Sequence, residues 1–152
     1  MIWRFIVFAL LNFGALAIGG FFTGPGVSSE WYQSLAKAPW TPPGWVFGFA
    51  WTSIMICFSF YLSLLWPKVK ARQSLIVLYA AQWLLNVAWN PLFFHFREVE
   101  FALIVISTLT LLVFGFLYGY RKLFSWQSLL VLPYFIWLLI ASSLNGYIFL
   151  QN

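Results

Sequence analysis

The sequence predicts an all-α fold: an integral membrane bundle of five transmembrane helices forming one domain over residues 1–152. Composition is the first reason. Hydrophobic residues make up 63% of the chain and charged residues only 7%, against about 25% charged in a soluble domain. Mean hydropathy is +0.90, and so few charges cannot cover a surface facing water. The second reason is length. Five uncharged stretches reach the roughly 20 apolar residues that a spanning helix needs, at about Phe5–Phe22, Gly44–Trp66, Gln73–Phe94, Phe101–Tyr120 and Ser128–Leu150. The third is periodicity: none of them alternates in polarity as the roughly ten-residue strands of a membrane barrel do. A DNA-binding domain, a soluble hydrolase, a disulfide scaffold and a disordered tail are thereby excluded. The single cysteine, Cys57, cannot form an intramolecular disulfide.

The first span follows Arg4. Its Ala15-Leu16-Ala17 also fits a signal-peptide cleavage site, but the apolar run continues to Phe22, which favours a retained helix. Ala15 and Gly19 give it a small-xxx-small face suited to close packing. The connector Thr23–Pro43 is 21 residues long, a length that points to a functional or disordered loop. Its residues argue against disorder. Thr23-Gly24-Pro25-Gly26 is a turn signal, and Ser28 or Ser29 can cap a short helix with Glu30 in its first turn. Trp31, Tyr32, Leu35 and Trp40 are apolar anchors, and Pro39, Pro42 and Pro43 stiffen the exit. A structured, lid-like loop 23–43 over the bundle mouth and a segment lying on the lipid headgroups are both compatible with this.

In the second span Trp51, Met55, Phe58 and Leu62 share a face. The third carries Gln82, Asn86 and Asn90 within about 80° of arc, with Trp89 beside them. Trp83 lies about 100° away, facing lipid or a second subunit. The fifth carries Tyr134, Trp137, Ala141 and Asn145 in one stripe. Amides facing lipid leave their donors unsatisfied, so these stripes point inward. They act either as glue between helices, at about 0.6 kcal/mol each, or as the polar groups of an aromatic-walled pocket. Trp51 and Trp137 sit several residues inside their spans and favour the pocket. Trp3, Trp45, Trp66 and Trp126 sit near span ends, as interfacial belt residues do.

The loops are lopsided in charge. Arg4, Lys68, Lys70, Arg72, Arg121 and Lys122 fall on one side of a five-span chain. Lys37 and Arg97 fall on the other, with all three acids, Glu30, Glu98 and Glu100. Six basic residues against two predict a cytoplasmic N-terminus and an outside C-terminus, in a pattern that suits a bacterial inner membrane. The net charge of +5 is therefore a topology signal and calls for no nucleic-acid partner. Few groups are suited to conventional catalysis. Within the spans only a thiol and tyrosines can titrate, no embedded acid offers a proton relay, and no metal-ligand cluster or phosphate-cradling glycine loop is present. His95 is an interfacial residue or, less simply, a ligand for haem iron.

Three motifs resemble one family. Trp31-Tyr32-x-x-Leu35-x-Lys37-x-Pro39-Trp40-Thr41-Pro42-Pro43, followed by Trp45-Val46-Phe47 and Trp51, is similar to the signature of the tryptophan-rich sensory protein / translocator protein family. Gln82-x-x-x-Asn86-x-x-Trp89-x-Pro91-x-Phe93-Phe94 resembles its third-helix motif, and Pro133-Tyr134-x-x-Trp137-x-x-x-Ala141-x-x-x-Asn145 its fifth. The resemblance implies a five-helix bundle, often a homodimer, that needs no cofactor and binds porphyrins or other flat hydrophobic molecules in the bilayer. It implies a pocket beneath the first loop lined by Tyr32, Trp40, Trp51, Met55, Asn86, Trp89, Trp137, Ala141 and Asn145. If a porphyrin sits there, Lys37 in the lid is the cation that can pair with a propionate. Family roles include tetrapyrrole transport, sensing and stress regulation. In some bacterial members protoporphyrin is broken down in light, and the residues matching that activity are Trp51 and Trp137. The sterol motif of mammalian members is not matched at the C-terminus, where Tyr147 is followed by Ile148-Phe149-Leu150-Gln151-Asn152. A looser Val113…Tyr118…Arg121 pattern is weak evidence for a sterol site. The resemblance is thus to a bacterial-type member.

Overall fold

The computed structural model describes residues 1–124 and 126–152. It is all-helical, with α1 (Ile2–Val27), α2 (Glu30–Ser34), α3 (Gly44–Leu65), α4 (Arg72–Asn90), α5 (Val99–Gly119) and α6 (Leu132–Gln151). A π-helical turn, Pro91–His95, extends α4, and short 3-10 turns at Arg121–Leu123 and Trp126–Leu130 join α5 to α6. Counting those extensions, five helices of 22 to 26 residues are long and apolar enough to cross a membrane. At 1.5 Å per residue they reach about 33–39 Å, beyond the roughly 30 Å of a hydrocarbon core. The protein is an integral membrane protein. The five long helices close a ring in the order α1, α3, α6, α5, α4, so chain neighbours α3 and α4 are not ring neighbours. The basic loops adjoin at one end of the bundle, where Lys68 Nζ donates to the Leu123 carbonyl at 3.1 Å. Trp3, Trp45 and Trp126 are exposed near helix ends, while Trp66 is half-buried under the Arg72 guanidinium, 5.7 Å away.

One local reading from the sequence is overturned. The turn signal at Thr23–Gly26 lies inside a helix, because α1 runs through Pro25 to Val27. Proline in the last turn removes one amide bond and leaves the rest of the helix intact. The chain there is held by packing. A Cβ on Gly26 would stand 2.4–2.6 Å from the Phe94 ring, so the glycine lets α1 lie directly on that aromatic. Side-chain hydroxyls bond back onto this last stretch: Thr23 Oγ1 donates to Gly19 O at 2.9 Å, and Ser28 Oγ to Pro25 O at 3.1 Å. Ser29 then caps α2, accepting from the Tyr32 amide at 3.2 Å.

The bundle divides across its length. In the half nearer the basic loops, Phe58, Tyr61, Leu62, Leu65, Val113 and Phe116 are fully buried. Their rings meet edge-on, as Phe58 and Phe116 do at 5.3 Å, and the interior is filled. A polar layer lies above it. Asn12 Nδ2 donates to Ser59 Oγ at 2.9 Å, Tyr79 Oη donates to Asn12 Oδ1 at 2.8 Å, and Gln82 Nε2 donates to Tyr134 Oη at 2.8 Å. These bonds join α1, α3, α4 and α6 where no water competes for them. Beyond Met55, toward the first loop, the interior is hollow.

Candidate ligand-binding site

A cavity of about 580 Å³ occupies the half of the bundle farther from the basic loops, within the roughly 300–1,000 Å³ typical of small-molecule sites. Small residues leave the space. Ala15 and Gly19 on α1 and Ala141 on α6 face it, while the aromatic walls are Trp51, Trp89, Phe93 and Trp137. The π-helical turn supplies part of that wall. Proline at its start has no amide hydrogen, the turn widens so that the Phe96 amide donates five residues back to Pro91 O at 2.9 Å, and Phe93 and Phe94 both line the cavity. Phe93 is stacked on Trp89 at 5.4 Å.

Among the residues expected from the sequence, Tyr32, Trp51, Asn86, Trp89, Trp137, Ala141 and Asn145 line this cavity together. Met55 and Trp40 do not. Met55 shares the face of Trp51 but lies one turn deeper, in the filled interior, with 1% of its surface exposed. Trp40 is 55% exposed. Its indole Nε1 donates to Ser143 Oγ at 3.1 Å and its ring meets Tyr147 edge-on at 5.4 Å. Trp40 therefore anchors the first loop to α6 from outside. His95 is also exposed, edge-on to Phe22 and Phe96, away from the cavity wall.

The polar groups divide by commitment. Asn145 is spent on the protein: its Oδ1 accepts from Trp89 Nε1 at 3.0 Å and its Nδ2 donates to Val99 O at 3.0 Å. Asn90 accepts from Thr23 Oγ1 at 2.7 Å and donates to Asn86 O at 3.2 Å. Gln82 is buried below the cavity with Tyr134. Asn86 differs, for among the described residues its carboxamide has no hydrogen-bond partner and is free at the cavity wall. Trp137 is 6% exposed, and its indole Nε1 has no partner among the described residues. The Trp137 N–H is itself enclosed by protein, so the Asn86 carboxamide is the amide left to orient whatever occupies the space.

The first loop roofs the cavity with Tyr32, Lys37, Thr41 and Pro42. Lys37 Nζ lies 4.8 Å from the Tyr32 ring centre and donates to Gln33 O at 3.3 Å. Burial pushes the Tyr32 phenol above its ordinary value, so the roof presents a neutral hydroxyl and one cation. The roof is pinned: the Arg97 guanidinium, on a residue with φ of 60°, sits 5.6 Å from the Trp31 ring. Asn152 clasps the Ala36 backbone, accepting from its amide at 3.0 Å and donating to its carbonyl at 3.3 Å.

Sequence reasoning missed the α1 wall, the α3 residues Phe47 and Gly48, and the floor residue Ile106. Only the small-residue spacing of Ala15 and Gly19 pointed toward α1.

Residues 5–150 match the sequence profile described as the TspO/MBR family. A tryptophan-rich sensory protein of Cereibacter sphaeroides is 33% identical over 145 residues, covering 95% of this chain and 89% of that protein. The tryptophan-rich protein TspO of Archaeoglobus fulgidus is 35% identical over 138 residues, 88% of this chain and 87% of the relative. The Homo sapiens translocator protein is 28% identical over 131 residues, 84% and 78% of the two chains.

Proposed function

Because the chain belongs to the TspO/MBR family, we propose that it is a membrane receptor or carrier for porphyrin-like, flat hydrophobic ligands, serving tetrapyrrole transport, sensing or stress regulation. The observation that carries this reading is the cavity of about 580 Å³, walled by indoles and phenyl rings and holding an uncommitted carboxamide at Asn86. Flat aromatic walls suit a macrocycle, and Lys37 at the roof suits a carboxylate at its edge. No cofactor is needed, since the porphyrin is cargo. The direct test is a tryptophan-fluorescence titration with protoporphyrin in detergent, in the dark, on the native protein and on Trp51→Phe and Trp137→Phe. Saturable quenching that weakens in the variants is expected. Linear quenching in all three proteins would mean partition into micelles and would end the reading.

A second reading is light-dependent breakdown of protoporphyrin. It is favoured by Trp51 and Trp137 both lining the cavity, where an oxidisable indole can meet an excited macrocycle. A product that forms only in light, and is lost in both tryptophan variants, supports it. Bleaching at the same rate beside an unrelated membrane protein removes it.

The charge bias of the loops supports a cytoplasmic N-terminus, an outside C-terminus and a bacterial inner membrane. The protein is also read as a homodimer. A groove on the outward face of α1 has Ala9, Gly14 and Ala17 at its base, framed by Ile6, Leu10 and Phe13, and small residues let two helices approach closely in lipid. A mass measurement in nanodiscs that returns a single copy would remove the dimer.

A further inference from the structure

The roof of the cavity is tied down, and its side is not. At the end near the basic loops α1 lies on α3, with the Phe5 and Phe60 rings 4.2 Å apart and Asn12 bonded to Ser59 at 2.9 Å. Toward the roof α1 leans instead on α4 and the π-helical turn, through Thr23 and Asn90 at 2.7 Å and Gly26 against Phe94. The two helices therefore form a wedge beside the cavity. Its edges are Gly20 on α1 and Gly44, Gly48 and Thr52 on α3, all exposed and all lining the cavity.

On the α3 wheel, Gly48 and Thr52 fall between the outward Phe49 and the inward Trp51. On α1, Gly20 falls between the outward Phe21 and the buried Gly19. These glycines are not there for close packing. A Cβ built on Gly20, Gly44 or Gly48 meets nothing within 4 Å, unlike one on Gly19, which would stand 2.6 Å from the Asn90 amide. Inside the opening waits the free Asn86 carboxamide.

We propose that the wedge between α1 and α3 is a lateral portal, through which an apolar molecule dissolved in the roof-side leaflet reaches the cavity. This rests on the reading of the cavity as a ligand site and adds the phase from which the ligand comes. A molecule that partitions into the bilayer arrives concentrated at this opening and leaves the pinned roof undisturbed. Its apolar body enters between the glycines, and the polar groups within satisfy its polar edge.

The test plugs the portal at its glycine edges and leaves the aromatic and amide side chains of the wall in place. Leucine in place of glycine at positions 20 and 48 has room on the backbone and favours the helix, so Gly20→Leu/Gly48→Leu should fold with an undiminished Tm. Native and plugged proteins are reconstituted in liposomes of phosphatidylcholine bearing a photoactivatable diazirine on one acyl chain. Adducts are then assigned to single residues by fragment mass spectra. In the native protein we expect adducts on the cavity residues Phe47 and Trp51 as well as on the outward Phe49 and Ile56. In the plugged protein the first pair should vanish and the second remain. Equal labelling of Phe47 and Trp51 in both proteins overturns the portal, as does native labelling confined to Phe49 and Ile56. The acyl probe is independent of porphyrin. Loss of the cavity adducts on plugging, together with no saturable protoporphyrin quenching, supports the portal and overturns the porphyrin reading.

Discussion

The two halves of this bundle are built from the same five helices and differ in what they enclose. Around and below the Asn12–Ser59–Tyr79 layer, Met55, Phe58, Tyr61, Leu65 and Phe116 fill the interior. Above it, Ala15, Gly19 and Ala141 stand at the equivalent inward positions, and the indoles line a space they do not fill. Overall hydrophobicity does not separate these halves, since both are apolar and ringed by lipid. Side-chain volume on the inward stripe separates them. In a bilayer, where lipid tails are as apolar as leucine, packing is what holds helices together. Stability should therefore reside in the filled half and binding in the hollow one.

The largest effect should come from hollowing the filled half. Phe58→Ala is expected to cost about 3–5 kcal/mol, read as a fall in thermal midpoint in detergent, with protoporphyrin quenching kept at low temperature. If binding falls as far as stability, the halves are not separable. Next, Gly26→Ala should cost about 1–3 kcal/mol, because the new methyl meets the Phe94 ring, whereas Gly20→Ala should be neutral or stabilising. Equal effects at the two glycines would show that α1 does not rest on Phe94. A sharper contrast pairs two amides one helical turn apart. Gln82→Ala leaves the buried Tyr134 hydroxyl without its donor and should lower stability by about 1–3 kcal/mol. Asn86→Ala should leave stability unchanged and weaken porphyrin binding about tenfold, or roughly 1.4 kcal/mol.

The smallest effect concerns the roof. The raised Tyr32 phenol lends stability that is whole below its ordinary value near 10 and is lost as pH climbs through the folded value. Native protein and Tyr32→Phe should thus share one pH dependence of the thermal midpoint from about pH 6 to 9. Above pH 10 the native protein alone should fall further. A difference between them at neutral pH would assign Tyr32 another role.

Much of this was legible in the sequence, for reasons that also mark the limit. Helical periodicity reports which way a residue faces, so the inward stripes of Gln82, Asn86 and Asn90, and of Tyr134, Trp137, Ala141 and Asn145, could be drawn from spacing alone. Periodicity does not report depth: Met55 shares the face of Trp51 yet falls in the filled half, one turn lower. It also has no purchase on loops. Trp40 is placed by the proline-rich bend and by Ser143 on a distant helix, and nothing local to Trp40 shows that. The α1 wall was nearly invisible because alanine and glycine contribute by what they lack. The turn read at Thr23–Gly26 was a sound local preference, overridden by a tertiary contact with Phe94. Whether an amide serves ligand or protein was equally hidden, since that depends on partners such as Val99 and Thr23 that lie far away in the chain.

The polar layer has a consequence for how such a protein can change over generations. Four helices are joined there by bonds that no wall residue takes part in, so part of their register is fixed outside the cavity wall. Substitutions that reshape the upper wall can accumulate, each altering the size or polarity of the accepted guest, while the assembly of the helices proceeds as before. The lower half then serves as a constant chassis and the upper as an adaptable mould. Such an arrangement lets one small bundle be retuned to new guests by drift in a few positions, without passing through sequences that no longer fold.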